Sequence, residues 1–91
     1  TMPHVQGFKL IVLDKGFVYA GELRGLGDGM FLISNARNVR VWGTKRGLGQ
    51  LAISGPTTTT VLDDVGAVVF PLHALMHVID TAPEKWNIKG N

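Results

Sequence analysis

Arg40 and Trp42 are the two side chains whose chemistry and spacing most clearly suit ligand binding. In Val39–Trp42 two valines alternate with Arg40 and Trp42, which predicts a strand that carries Arg40 and Trp42 on the same face. A guanidinium binds phosphate oxygens in a bidentate contact, and an indole stacks on a base. The pair therefore fits a nucleotide. The structural alternative is that Trp42 covers one end of the core while Arg40 stacks on it in solvent.

The pair belongs to an acid-free segment, residues 29–62, in which four residues are basic and none is acidic. The net charge of the chain is only +2, so we expect positive potential to concentrate around this segment and to favour an anionic partner. Gly43–Gly49 is both basic and rich in glycine, so its backbone N–H groups and Lys45 would hold a phosphate in a nest. The alternative for this stretch is a flexible, solvated insert.

The predicted site combines cations for phosphate, one ring for stacking, and amide and hydroxyl groups for specific hydrogen bonds. Its residues are Arg37, Asn38, Arg40, Trp42, Thr44, Lys45, Arg46 and Thr58. The four threonines of Thr57–Thr60 also suit an ordinary edge strand, because threonine has a high β propensity.

No other spacing in the chain predicts catalysis or metal binding. There is no cysteine, and neither of the two serines stands in a nucleophile-elbow setting. His73 and His77 would share a face only on a helix, whereas their surroundings favour a strand. Asp63 and Asp64 are adjacent and suit a turn better than acid–base chemistry. We therefore expect a non-enzymatic protein with no catalytic residue, metal or cofactor.

The composition predicts one small folded domain. Of 91 residues, 45% are hydrophobic and 18% are charged, which argues against disorder and leaves room for one core. No apolar run is long enough to span a membrane, and the N-terminus lacks the features of a signal peptide, so we expect a cytoplasmic protein without a membrane partner. Residues 1–91 form the predicted domain, with an N-terminal arm at 1–7, an inserted loop at 43–65 and a frayed tail at 87–91.

Short β-branched and apolar runs, separated by glycine-rich turns, predict a mainly β fold. The predicted strands are residues 8–13, 17–24, 30–34, 39–42, 66–70 and 76–80. Asn35–Asn38 is interpreted as the connection between the third and fourth strands. The inserted loop follows the fourth strand, and only a short helical turn near Leu48–Ile53 is expected within it.

Two short helical segments are predicted near the end of the chain. Pro71–Leu75 is long enough for one helical turn with proline at its start, and a longer helix over Pro71–Ile79 is the alternative. Ala82–Trp86 predicts a short terminal helix.

Two stretches resemble the motifs of the Sm-like proteins. Phe17–Ala36 is similar to the first Sm motif, and the matching positions are Gly21, Asp28, Leu32 and Asn35. Gly66–Ile79 is similar to the second motif as bacterial RNA-chaperone members carry it, with His73 in its turn. The asparagine that the family places two positions after the loop acid is Met30 here. The resemblance implies a small Sm-like, SH3-like barrel of about five to six strands with one short helical turn, assembled as a homo-oligomer.

A second resemblance covers residues 35–57, 62–63 and 69–80, which are similar to small phage proteins. Proteins of that kind include oligomeric sponges that sequester the cyclic nucleotide signals of bacterial immunity. The resemblance implies a small anionic nucleotide as the partner, a cyclic di- or oligonucleotide, bound in the cytoplasm of an infected bacterial host. The alternatives are an Sm-like protein that binds RNA or another single strand, and a structural or assembly protein of the phage.

Overall fold

The computed structural model describes residues 6–86, which form five strands, one α-helix and three short 3-10 turns. The strands and helix are β1 (Gly7–Leu13), β2 (Val18–Gly27), β3 (Met30–Val41), α1 (Gly47–Ser54), β4 (Val61–Pro71) and β5 (Leu75–Asp80). The 3-10 turns are Asp14–Gly16, Leu72–Ala74 and Pro83–Trp86. The predicted tail at 87–91 and most of the predicted arm at 1–7 lie outside the described residues, and Gly7 already belongs to β1.

The five strands form one antiparallel sheet in the order β4-β3-β2-β1-β5. Consecutive strands from β1 to β4 are neighbours, and β5 returns along the free side of β1. The sheet therefore has β4 and β5 as its edge strands. The prediction of a mainly β fold is confirmed.

Both faces of the sheet are covered by apolar side chains because neighbouring residues of a strand point to opposite sides. Leu10 and Ile11 of β1, both fully buried, lie in different clusters. The Leu10 cluster contains Val18, Ala20, Val39, Leu51, Ala52 and Trp86. The Ile11 cluster contains Leu13, Leu23, Phe31, Ile33, Ala36 and Phe70, with Leu75 and Val78 packed against it. Side chains of both edge strands reach both clusters, so the sheet has an apolar core on each face.

The predicted third and fourth strands are one continuous strand, β3, so the interpretation of Asn35–Asn38 as a connection is wrong. The strand passes the polar residues because it bulges there: its register shifts against β2 between Ala20 and Glu22, and Asn35 takes a left-handed φ of 49°. A bulge lets one residue leave the ladder without ending the strand.

The strand predicted at 66–70 begins earlier, at Val61, so residues 61–65 of the predicted inserted loop belong to β4. The interpretation of Asp63 and Asp64 as turn residues is wrong. In β4 they lie opposite Asn38 and Arg37 of β3, and contacts with arginines offset the low β propensity of aspartate.

The helical turn predicted near Leu48–Ile53 is confirmed by α1, but the insert is not a free solvated loop. Leu51 and Ala52 of α1 are fully buried against the Leu10 cluster. Trp86 packs on the same face and donates a hydrogen bond from Nε1 to the Ala52 carbonyl oxygen at 3.1 Å. The helix and the last 3-10 turn therefore cover the face of the sheet that carries the Leu10 cluster.

The single turn predicted at Pro71–Leu75 is confirmed as the 3-10 turn Leu72–Ala74, and Pro83–Trp86 confirms the short terminal helix. The alternative of a long helix over Pro71–Ile79 is wrong, because Leu75–Asp80 pairs with β1 as β5.

Candidate functional site

Trp42, the aromatic residue of the predicted site, lies at a corner where β3 leads into α1. Trp42 follows the last residue of β3, and its side chain is 44% exposed. A Cβ added to Gly47 would lie 3.7 Å from Cζ3 of Trp42, so the indole lies against the backbone at the start of α1. The register of β3 against β4 shifts between Val39 and Val41, which interrupts the alternation on which a face shared with Arg40 depended.

Threonine hydroxyls fix the backbone of this corner. The Thr60 hydroxyl donates to the Trp42 carbonyl oxygen at 2.7 Å, and the hydroxyls of Thr57 and Thr59 donate to that of Gly43 at 2.7 and 3.2 Å. Gly43 has a φ of 73°, and a Cβ there would approach Thr60 N to 2.5 Å, so only glycine fits. Thr57–Thr60 is therefore a hydrogen-bonded turn and not an edge strand. We call residues 42–47 and 57–60 the corner.

The corner carries two cations that no acidic side chain of the described residues neutralises. Lys45 and Arg46 are exposed, and neither side chain has a hydrogen-bond or ion-pair partner among residues 6–86. The Arg46 backbone N–H donates to Gln50 Oε1 at 2.8 Å, and the Thr44 hydroxyl donates to the Gly47 carbonyl oxygen at 2.7 Å. These two bonds hold the main chain around the cations and leave the charged groups in solvent.

Arg40 does not add to the unpaired positive charge of the corner, because it is paired with Asp63. Its Nε and Nη2 donate to the two carboxylate oxygens of Asp63 at 2.8 and 3.2 Å. These hydrogen bonds, together with the attraction between the charges, lower the pKa of Asp63 and raise that of Arg40. Any anion that binds Arg40 must compete with this carboxylate.

Arg37 forms a looser contact with Asp64, its partner in the β3–β4 register, with Nε 3.5 Å from Oδ1. The register is regular from Arg37 to Val39, so Arg37 and Asp64 lie on the same face as the buried Val39 and its partly buried partner Leu62. This is the face that α1 covers.

Of the remaining predicted residues, one forms a hydrogen bond within the sheet and the other is exposed to solvent. The Asn38 amide donates from Nδ2 to the Val18 carbonyl oxygen at 3.1 Å, which ties β3 to β2. Thr58 is exposed at the tip of the threonine turn. The structure therefore brings together Trp42, Thr44, Lys45, Arg46 and the threonine turn, while Arg37 and Arg40 each face an aspartate of β4.

Four residues that the sequence analysis did not assign to the site lie beside Arg37. Asn35, Asp64 and Gly66, together with Ala36, line an open cleft of about 210 Å³ between β3 and β4. The cleft depends on the bulge, which the sequence signals only weakly through an asparagine in β3 and a glycine in β4.

The two described histidines are separated by local structure. His73 lies in the 3-10 turn and His77 in β5. Among residues 6–86 no three histidine or acidic side chains are grouped so that they could hold a metal ion. In the same part of the chain, no helix has both the length and the apolar character needed to cross a membrane. No protein-family model and no curated protein matches this chain.

Proposed function

We propose that this protein is a non-enzymatic nucleotide-binding protein that sequesters a cyclic di- or oligonucleotide immune signal in the cytoplasm of a phage-infected bacterium. One observation carries the proposal: the half-exposed indole of Trp42 adjoins two cations, Lys45 and Arg46, for which the described residues provide no acidic partner. A sponge requires only binding, so no reacting group has to be identified.

The chemistry of the corner matches both parts of a nucleotide. An indole face stacks on any base, and such stacking contributes about 1–3 kcal/mol per base. Lys45 and Arg46 provide charge for a phosphate, and Thr58 offers a hydroxyl at the tip of the neighbouring turn. Because the threonine hydrogen bonds already fix the corner, little main-chain order has to be gained on binding.

The proposal includes an Sm-like barrel that assembles into a homo-oligomer, with the ligand between protomers. The strand order and the 3-10 turn between β4 and β5 support this fold. Each edge strand has an unpaired side along which another copy can add, as Sm-like barrels do. A chain of 91 residues has little room for an enclosed pocket of its own.

Binding of RNA or another single strand is the second candidate. The Leu72 N–H donates to the Gly29 carbonyl oxygen at 2.7 Å, which joins the turn of Asp28 to the turn of His73. These are the turns that resemble the RNA-binding motifs of Sm-like proteins. The family's asparagine, however, is replaced here by Met30, which favours the small ligand.

A titration of the purified protein tests the proposal. Cyclic dinucleotides, cyclic trinucleotides and a short single-stranded RNA are added in parallel, and bound ligand is recovered after denaturation. We expect tight binding of a cyclic nucleotide, recovered intact, with a shallow salt dependence. RNA binding that weakens steeply with log salt would favour the second candidate. An altered ligand would show an enzyme, and no binding by any probe would refute the proposal.

Two variants test the site. Trp42→Ala is expected to weaken cyclic nucleotide binding by about tenfold or more, because base stacking is lost. Arg46→Ala is expected to weaken it through loss of charge, whereas Arg24→Ala is the matched control, because it removes an exposed arginine of β2 that has no ion-pair partner among residues 6–86. If Trp42→Ala binds as well as the parent protein, the corner is not the site.

A further inference from the structure

The cleft between β3 and β4 is produced by bulges in both strands. The register shifts on each side of Ala36, and Asn35 and Gly66 take left-handed φ angles of 49° and 78°. A Cβ added to Gly66 would meet no atom within 4 Å, so the space beside its backbone is open. Bulges of this kind are frequent beside binding sites, where they redirect side chains.

The polar groups around the cleft have unused hydrogen-bonding capacity. The side chain of Asp64 is 91% exposed, and it stands 3.5 Å from the Nε of Arg37, which is beyond good hydrogen-bond length. Arg37 is more sheltered, with 22% of its side chain exposed. Asn35 is exposed, and its amide has no partner among residues 6–86. By contrast, Arg40 and Asp63 satisfy each other with two hydrogen bonds.

A guanidinium beside a carboxylate presents hydrogen-bond donors next to acceptors. Guanine is the base whose edge has the complementary arrangement of acceptors next to donors. Guanine offers O6 and N7 as acceptors for an arginine. Its N1–H and N2–H₂ are adjacent donors, which a carboxylate accepts as a pair because an ionised carboxylate only accepts. Adenine has an acceptor at N1, which would face the Asp64 carboxylate unfavourably.

The cleft also lies within reach of the corner. Arg37 and Asp64 lie on the face that α1 covers, and the Trp42 indole lies against the start of α1. Trp42 is five positions after Arg37, which corresponds to at most roughly 17 Å of extended chain. A ligand with more than one nucleotide unit can place one base in the cleft and another on the indole.

We infer that the cleft is a guanine-specific subsite, in which Asp64 accepts from the N1–H and N2–H₂ of the base and Arg37 donates to O6 or N7. The Asn35 amide is placed to complete the contacts with the base edge. This inference rests on the proposed function and narrows it to nucleotides that contain guanine, whether in a cyclic dinucleotide or in a single strand.

The experiment compares cyclic di-GMP with cyclic di-AMP, and a G-containing with an A-containing oligoribonucleotide, by calorimetric titration of the full chain. The parent protein is expected to prefer guanine by roughly tenfold or more, in whichever of the two forms it binds. Asp64→Asn is expected to lose this preference. The control is Asp14→Asn, which removes the same charge from an exposed residue in the turn between β1 and β2.

Replacing guanine with xanthine in the ligand tests the contact directly, because a general change in charge or fold would not raise the affinity for xanthine. Xanthine replaces the N2–H₂ of guanine with a carbonyl, so an asparagine at position 64 can accept from N1–H and donate to that carbonyl. Asp64→Asn is therefore expected to gain affinity for XMP over the parent protein while it loses affinity for GMP. Because Asp64 is exposed, the variant is expected to retain the circular dichroism spectrum and unfolding temperature of the parent.

The outcomes separate this inference from the function on which it rests. If guanine and adenine ligands bind equally and Asp64→Asn changes neither, the guanine subsite is refuted while nucleotide binding stands. If Asp64→Asn weakens both ligands alike without any gain for XMP, Asp64 acts through general electrostatics and the subsite is also refuted. If neither nucleotide binds in either form, the proposed function fails and the inference fails with it.

Discussion

Arg37 and Arg40 lie three residues apart on β3, and each faces an aspartate of β4, but the two contacts differ in strength. Arg40 makes two hydrogen bonds with Asp63, whereas Arg37 stands 3.5 Å from Asp64 without one. The first pair is satisfied and the second is open to a third partner. A charge that is merely present in the sequence is therefore not equivalent to a charge that is available for binding.

The pair of Arg40 and Asp63 predicts a particular pH dependence of stability. Because the folded protein holds the Asp63 pKa below its unfolded value, the pair contributes stability above the unfolded pKa and loses it as the pH falls through the lowered, folded-state pKa. We expect the difference in unfolding temperature between the parent protein and Asp63→Asn to be present at neutral pH. It should disappear only below the usual titration range of aspartate.

Thermal unfolding of both proteins across this pH range provides the measurement, with Asp14→Asn as an exposed control in the turn after β1. A difference that vanishes already at the ordinary aspartate pKa would show that the hydrogen bonds from Arg40 do not persist in solution. The same result would leave Arg40 free for an anionic ligand.

At the scale of elements, α1 and the last 3-10 turn support each other. The Ala52 carbonyl oxygen near the end of α1 accepts from both the Ala82 N–H and Trp86 Nε1, each at 3.1 Å. Gly55 follows with a φ of 80°, and a Cβ there would lie only 2.2 Å from the Lys85 carbonyl oxygen. The close approach of these two segments depends on glycine at this position.

Two glycine substitutions are predicted to have opposite effects on stability. Gly55→Ala should lower the free energy of unfolding by more than about 1 kcal/mol, because the added methyl group overlaps the turn and the backbone is left-handed. Gly49→Ala, within α1 and with nothing near its Cβ position, should raise it by about 0.5–1 kcal/mol. Urea unfolding measures both. A neutral Gly55→Ala would show that α1 and the turn are not in contact in solution.

Local patterns in the sequence predict most elements but not their interruptions. Runs such as Phe8–Leu13 can be predicted as strands from the sequence, because β-branched and apolar residues favour a buried strand. Asn35–Asn38 reads as a connection, because nothing local indicates that a bulge carries the strand through polar residues. Asp63 and Asp64 read as a turn for the same reason, since the arginines that stabilise them are far away in the sequence.

For the candidate site, too, the sequence predicts local features but not the contacts between distant residues. The acid-free segment contains Lys45 and Arg46, which are exposed and have no ion-pair partner among residues 6–86. It does not reveal that Arg37 and Arg40 meet acids that follow the segment directly, because that meeting depends on the register of β3 with β4. Register is a long-range property, set by the packing of both faces and by the bulges.

At the scale of the whole molecule, the two edge strands are unlike in length and alike in exposing apolar side chains. Val65 and Val69 of β4 are 42% and 55% exposed, and Met76 of β5 is 58% exposed. Exposed apolar edges of this kind promote pairing between chains. The proposed homo-oligomer would bury them.

A lysine on the edge of β4 is therefore predicted to disrupt assembly. Val69→Lys should reduce the molar mass in solution, measured by light scattering after size exclusion, because a charge on the edge opposes strand pairing. The matched control is Ile53→Lys on α1, where the isoleucine is 66% exposed and belongs to no edge strand. A parent protein that is monomeric at all concentrations would contradict the proposed assembly.

The junction of α1 with the last 3-10 turn also determines when α1 can complete its packing during protein synthesis. Residues 47–54 leave the ribosome well before residues 82–86, and a helix of eight residues is too short to persist by itself. Leu51 and Ala52 must therefore wait for Trp86 before their burial is complete. A chain that reached only to Asp80 would include every strand of the sheet, yet α1 would still lack the indole that completes its burial.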